Sequence, residues 1–343
     1  RDLHLSLRRQ RQMCIRDSFR THLFFLFIGY TSSVFGAEVM LANGDRYIGD
    51  VVDGVLSGNG TYIWSAGDRY EGSFLNDQPD GPGVYKWVDG RVYTGEFKNG
   101  IRQGQGKLRW ANGDLYEGAF AANAMHGSGL FVWANKDRYQ GEFKNNKRVG
   151  RGSMLWHTGQ AYDGMFDNGR MHGEGHLKYV DGREYVGTFV ADAKSGEGTF
   201  SWPNGNRYVG AFATDQRSGG GVFLWRDGTV YRGQFSGNKQ HGYGVKEQTN
   251  DVSELQVWRD GELVSSTRIE ENQYCALQHL ERSWMFSASS CVNGMAHGTG
   301  IAVSLDGDFV VAEGRFVLGQ FVAGELIEIP PNVPRTKAVR NSG

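Results

Sequence analysis

The chain has 343 residues, a formal charge of −1, and 51 glycines against 6 prolines. So little proline excludes collagen and proline-rich linkers, and an aromatic content of 13% excludes a disordered glycine-rich tract. Abundant glycine with abundant aromatics is the composition of short strands and tight turns repeated many times.

Residues 1–18 (RDLHLSLRRQRQMCIRDS) resemble a translated sequencing adapter, the resemblance resting on Arg8 to Ser18, and are set aside from fold reasoning. Without their five Arg and two Asp, 32 basic residues face 36 acidic ones, a charge of −4. Residues 19–36 read as a signal peptide: Arg20 and His22, an apolar run from Leu23 to Tyr30, then small residues. Val34 and Gly36 precede a cleavage point before Ala37. The run is too short for a membrane-spanning helix, which needs ~20 apolar residues. The expectation is an exported, periplasmic or envelope-associated protein.

Residues 37–46 form a half-unit that caps the start of a repeat array. From Tyr47 the chain repeats with a period of 23 through Tyr70, Tyr93, Tyr116, Tyr139, Tyr162, Tyr185, Tyr208 and Tyr231. Two residues after each tyrosine stands a glycine, as at Gly72, Gly95, Gly118, Gly141, Gly164, Gly187 and Gly210. Two further on stands Phe74, Phe97, Phe120, Phe143 and their counterparts, with Val51 in the first unit. A Gly-x-Gly pair comes next, and an aromatic closes the unit, as at Trp87, Trp110, Trp133 and Trp156. Tyr-x-Gly-x-Phe alternates with period two, so both rings share one face of a strand. The second strand runs from the glycine pair to the tryptophan, and dipeptides such as Asp89-Gly90 and Asn112-Gly113 mark tight turns. Strand glycines are expected wherever rings of neighbouring strands lie across bare backbone.

This YxGxF…GxG…W…DG pattern resembles the MORN repeat family over residues 47–253, in nine units. The resemblance implies an all-β, elongated antiparallel β-hairpin repeat solenoid forming a single long twisted sheet, with an aromatic-lined groove. It also implies protein–protein contact, scaffolding and phospholipid association.

The register decays from Gln248, which replaces the tryptophan, and in residues 254–327 Glu254 replaces the tyrosine and Gly294 to Gly300 repeats the spacing of Gly169 to Gly175. These residues read as degenerate repeats that cap the array. Cys275 and Cys291, 16 apart in an exported chain, are expected to form a disulfide. Residues 328–343 read as a disordered tail.

Tempting chemistry dissolves into repeat architecture. His126, His172 and His241 share one repeat position, and His126 and His172, two units apart, lie ~19 Å from each other, too far for a common metal. They read as turn residues. The run Gly219–Gly221 lacks a phosphate-loop form and a following helix. No catalytic constellation, metal site or cofactor is expected, and the chain does not read as an enzyme. Beyond residue 36, 31 basic against 36 acidic residues argue against nucleic acid. The leading expectation is a non-catalytic scaffold binding a protein or peptide partner on an aromatic sheet surface, with self-association open to the same surface. The alternatives are a peripheral phospholipid-binding protein, with weak headgroup contact through Lys144, Lys147, Arg148 and Arg151, and an accessory module of an envelope enzyme complex.

Overall fold

The computed structural model describes residues 34–269, 277 and 279–331. The adapter-like segment, nearly all of the signal-like segment and Cys275 lie outside the described residues. The chain divides into two compact units, residues 1–157 and 158–343. Every regular element among the described residues is a β-strand.

In the first unit, Val34–Met40 pairs antiparallel with Arg46–Val52, and successive antiparallel strands continue to Lys147–Leu155. Strands of seven residues alternate with strands of nine, as in Arg69–Leu75 followed by Gln78–Lys86. The second unit continues the pattern from Ala161–Asp167 to Lys239–Glu247, then adds a hairpin of Ser253–Arg259 and Glu262–Arg268.

Two kinds of turn alternate along the array. The Asp-Gly and Asn-Gly dipeptides sit in the links between hairpins, where Trp87 N–H bonds to the Arg91 carbonyl and Gly90 N–H to the Trp87 carbonyl. The tight turn within each hairpin is a different pair, and both of its residues have positive φ. Asn76 and Asp77 lie at 49° and 65°, and Asn145 and Asn146 at 50° and 67°. This mirror-image geometry matches the twist of paired strands. It is held even where the sequence offers Ala122, Ala191 or Thr214, at 47°, 50° and 48°.

The two glycines of each Gly-x-Gly pair do different work. The first sits in a bulge and has positive φ, as Gly58 at 88° and Gly150 at 59°. The second pairs across the sheet with the glycine of the Tyr-x-Gly-x-Phe strand on either side, as Gly60 with Gly49 and with Gly72. A row of glycines therefore crosses the strands within each unit. Each tyrosine ring lies over two of them. A Cβ on Gly141 would meet the Tyr139 hydroxyl at 2.4 Å, and one on Gly152 would meet it at 2.4 Å too. The ring thus covers a glycine of its own strand as well as one of the neighbour, where only neighbouring strands were expected to supply it.

The histidines are strand residues and not turn residues: His126 lies in Ala124–Val132, His172 in Arg170–Lys178 and His241 in Lys239–Glu247.

After the array, Trp284–Val292, Met295–Ser304, Phe309–Val317 and Gln320–Glu328 form a separate four-stranded antiparallel sheet. It keeps repeat features: Asn293-Gly294 and Leu318-Gly319 turn with positive φ, and the Phe316 ring covers Gly314. One face packs Met285, Val303, Val310 and Ile327 against Val245 and Leu255 of the second unit's main sheet. The other encloses Trp284, Phe286, Val311 and Phe316. Order extends past residue 328, where a disordered tail was expected: Ile329 is buried and the Pro330 carbonyl accepts a hydrogen bond from Arg232. Cys291 sits in Trp284–Val292 opposite Ala296.

Candidate functional site

One face of the repeat sheet carries the aromatic side chains. Its floor is an edge-to-face ladder. In the first unit Tyr70 contacts Phe74 and Phe97, Tyr93 contacts Phe97 and Phe120, and Tyr116 contacts Phe120 and Phe143. Centroids lie 5.0–5.1 Å apart. The second unit repeats this from Tyr162 to Phe235. Each such pair contributes ~0.5–1.5 kcal/mol beyond area burial. Tyr70, Tyr93, Tyr116 and Tyr139 are fully buried, and Phe74, Phe97, Phe120 and Phe143 nearly so.

The tyrosine hydroxyls are satisfied locally. Tyr70 donates to the Ser73 carbonyl, Tyr139 to Glu142 and Tyr208 to Ala211, always three residues on. Tyr231 is the exception, its buried hydroxyl finding no partner among the described residues. Burial pushes these phenols up, to about 12 at Tyr93, Tyr116, Tyr139 and Tyr162. They are neutral packing groups, not proton carriers.

A second row of rings lies toward the linking turns. Tyr62, Trp64, Tyr85 and Trp87 succeed one another with centroids 4.4–5.1 Å apart, and Phe200, Trp202, Phe223 and Trp225 do so at 4.6–5.4 Å in the second unit. Trp87, Trp110, Trp133 and Trp156 are half-buried, so this row leaves ring surface open to a partner. Linking-turn carboxylates tie consecutive units: Asp68 accepts the Tyr85 hydroxyl and the Val88 N–H, and Asp45 does the same for Tyr62 and Ser65.

Nine residues after each tyrosine comes a position that the sequence reading missed. It holds Arg102, Arg148, Lys194 and Arg217, whose charged ends lie over the rings. Arg102 covers Trp87, Tyr93 and Phe120 at 5.4–5.6 Å, and Arg217 covers Trp202, Tyr208, Phe223 and Phe235 at 5.4–5.8 Å. Arg148 lies over Trp133 and Tyr139, and Lys194 over Tyr179 and Tyr185. Burial holds the Arg102 and Arg217 guanidinium groups below their usual range. Lys194 moves the other way: burial would lower it, but hydrogen bonds to Asp215 and Tyr179 outweigh that. The same position holds Leu56, Pro79, Met125 and Met171 elsewhere, so no single residue type marks it in the sequence.

The four cations expected to touch a headgroup all lie on one hairpin, Arg138–Lys144 and Lys147–Leu155. Lys144 pairs with Lys147 across the Asn145-Asn146 turn, while Arg148 pairs with Phe143 and sits on the aromatic face. Arg151 neighbours Gly152 of the glycine row and so points to the opposite face. The structural glycines Gly72, Gly95, Gly118 and Gly141 line the row beneath the tyrosines in the first unit, and Gly164, Gly187 and Gly210 do so in the second.

Among solved structures, a point mutant of the TCP10 domain of Danio rerio CPAP is 12% identical with a TM-score of 0.33, covering 68% of this chain and 99% of that one. The SAS-4 (dCPAP) TCP domain of Drosophila melanogaster, solved with a proline-rich motif of Ana2 (dSTIL), is 16% identical with a TM-score of 0.30, covering 52% and 90%. Likenesses this slight carry nothing over to this chain. No curated protein matches it. The MORN repeat model matches residues 47–69, 70–90, 93–115, 116–138, 139–161, 162–182, 185–207, 208–230 and 231–250. With its paired glycine row, ring ladder and nine consecutive matched units, the chain belongs to the MORN repeat family.

Proposed function

We propose that the chain is a non-catalytic scaffold that docks a protein or peptide on the aromatic face of its repeats. The half-buried tryptophan row carries this reading. Tyr and Phe are spent on the floor, whereas Trp87, Trp110 and Trp133 keep ring surface available, as interface anchors do. Of the cations Lys144, Lys147, Arg148 and Arg151, Arg148 is held over the Trp133 and Tyr139 rings, which gives the phospholipid alternative less support. Exchange of Trp87 and Trp202 for Ala, followed by cross-linking and capture in the native extract, tests the reading. Loss of a specific partner with unchanged melting is expected. Retention of that partner by both variants would remove the aromatic face from consideration.

The same proposal places the protein outside the cytoplasm, with cleavage before Ala37 and a Cys275–Cys291 bridge. Supporting it are the signal-like residues 19–36 and the spacing of the two cysteines. Cell fractionation, N-terminal sequencing and thiol labelling with and without reductant test it. A cytoplasmic protein with two reactive thiols would end it.

A further inference from the structure

Three of the four cations at the repeat position nine residues after the tyrosine, Arg102, Lys194 and Arg217, fall into two kinds. Lys194 is closed: its Nζ lies 2.7 Å from a carboxylate oxygen of Asp215, in the within-hairpin turn of the next repeat. At Arg102 and Arg217 the residue corresponding to Asp215 is Asn123 and Asn238. Arg102 donates to the Asn123 backbone carbonyl at 2.7 Å and to its side-chain oxygen, and Arg217 donates to the Asn238 backbone carbonyl. All of these acceptors are neutral. Arg102 Nη1 is buried without a partner. Neither guanidinium forms an ion pair with a described residue, although both lie against rings that displace part of their water. Stacking on rings offsets part of the cost of desolvating a cation, but a carboxylate would form the stronger charge-assisted bond.

We infer that Arg102 in the first unit and Arg217 in the second are open cations, each of which docks an acidic, aromatic-containing extended peptide within its own unit. Its carboxylates take the place that Asp215 fills beside Lys194. This rests on the aromatic face being the docking surface and adds the chemistry of the partner. A peptide fits better than a membrane. The open guanidinium groups lie within a row of rings, where an extended chain can place carboxylates and side chains alternately. An anionic membrane would instead face the whole chain, in which acidic residues outnumber basic ones beyond residue 36.

The repeats supply their own control. Asn123→Asp with Asn238→Asp closes both cations in the manner of Asp215, while Asp215→Asn opens Lys194. Fluorescence anisotropy of the full chain with a short labelled peptide of alternating glutamate and tyrosine reads the effect. The double variant is expected to weaken binding about fivefold, about 1 kcal/mol at 1.4 kcal/mol per tenfold. Asp215→Asn is expected to tighten it, and added salt to weaken it. If a closing variant does not fold, Arg102→Gln with Arg217→Gln serves in its place and is expected to show the same loss.

Four outcomes would overturn the inference: no binding of the glutamate peptide, equal binding of a glutamine–tyrosine peptide, unchanged affinity in the folded double variant, or displacement of the peptide by phosphatidylserine vesicles. Equal binding of the glutamine peptide, abolished by Trp87→Ala and Trp202→Ala, would reject the open cations yet keep the aromatic face as the docking surface.

Discussion

The hydroxyl of Tyr139 lies 2.4 Å from the place a Cβ on Gly152 would occupy, although the two residues belong to neighbouring strands. The ring and the bare backbone are thus one packing unit, repeated through the array. Gly141→Val is expected to destabilise the fold by about 3 kcal/mol, since overpacking typically costs ~1–3 kcal/mol and here the Gly152 backbone cannot retreat. Denaturant unfolding measures it, and an unchanged midpoint would sink the packing account.

Alkali tests the tyrosine floor. Burial raises the Tyr93, Tyr116, Tyr139 and Tyr162 phenols from 10 to about 12. A group whose folded pKa is raised contributes stability that is full below its unfolded pKa and is lost as pH climbs through the folded one. Stability is therefore expected to fall between about pH 10 and 12. Phenolate absorbance should appear together with the loss of β circular dichroism. Phenolate appearing well before unfolding would show that the rings are accessible to solvent.

Acid tests the clasp at Asp45, a carboxylate 4% exposed. Desolvation raises its pKa, but hydrogen bonds from Ser65 N–H, Tyr62 and Asn43 outweigh that and leave it below 3.8. A depressed folded pKa gives stability that is present above the unfolded value and lost as pH falls through the folded one. Asp45→Ala is expected to cost about 1–3 kcal/mol at neutral pH by orphaning buried donors. Asp45→Asn should weaken the acid dependence. Identical melting of wild type and Asp45→Ala would refute the clasp.

Arg232 ties the four-stranded sheet to the last repeats. It is 3% exposed, and it pairs with Glu247 at 2.8 Å and Asp308 at 3.0 Å. Arg232→Met is expected to destabilise residues 284–328 by about 3 kcal/mol, the lower end for breaking a buried pair, because both carboxylates retain some exposure. Hydrogen exchange should quicken there first while Arg69–Leu75 keeps its protection. Uniform quickening would mean that Arg232 supports the whole fold.

The sequence made the strands, the aromatic face and the glycine positions legible, because each recurs every 23 residues and packing repeats with it. The within-hairpin turns were hidden: Ala122, Ala191 and Thr214 do not advertise positive φ, and their conformation is imposed by ladder bonds on both sides. The open cations were hidden for a related reason. Arg102 and Met125 hold the same place, since the rings accept any long side chain, and only the neighbouring Asn or Asp decides its charge balance. The covering of the last repeats shows only in hindsight, in Val245 and Leu255 at positions where Lys107 and Glu117 stand in an earlier repeat.

The ties between consecutive repeats reach only 20 or 21 residues along the chain, as from Ser65 back to Asp45 and from Leu56 forward to Asp77. No repeat waits for a distant strand to arrive before it can close. Such a chain can begin folding at many places and lengthen hairpin by hairpin. Losing a repeat would shorten the array and leave the remaining neighbours' contacts intact, so its length can change without loss of the fold.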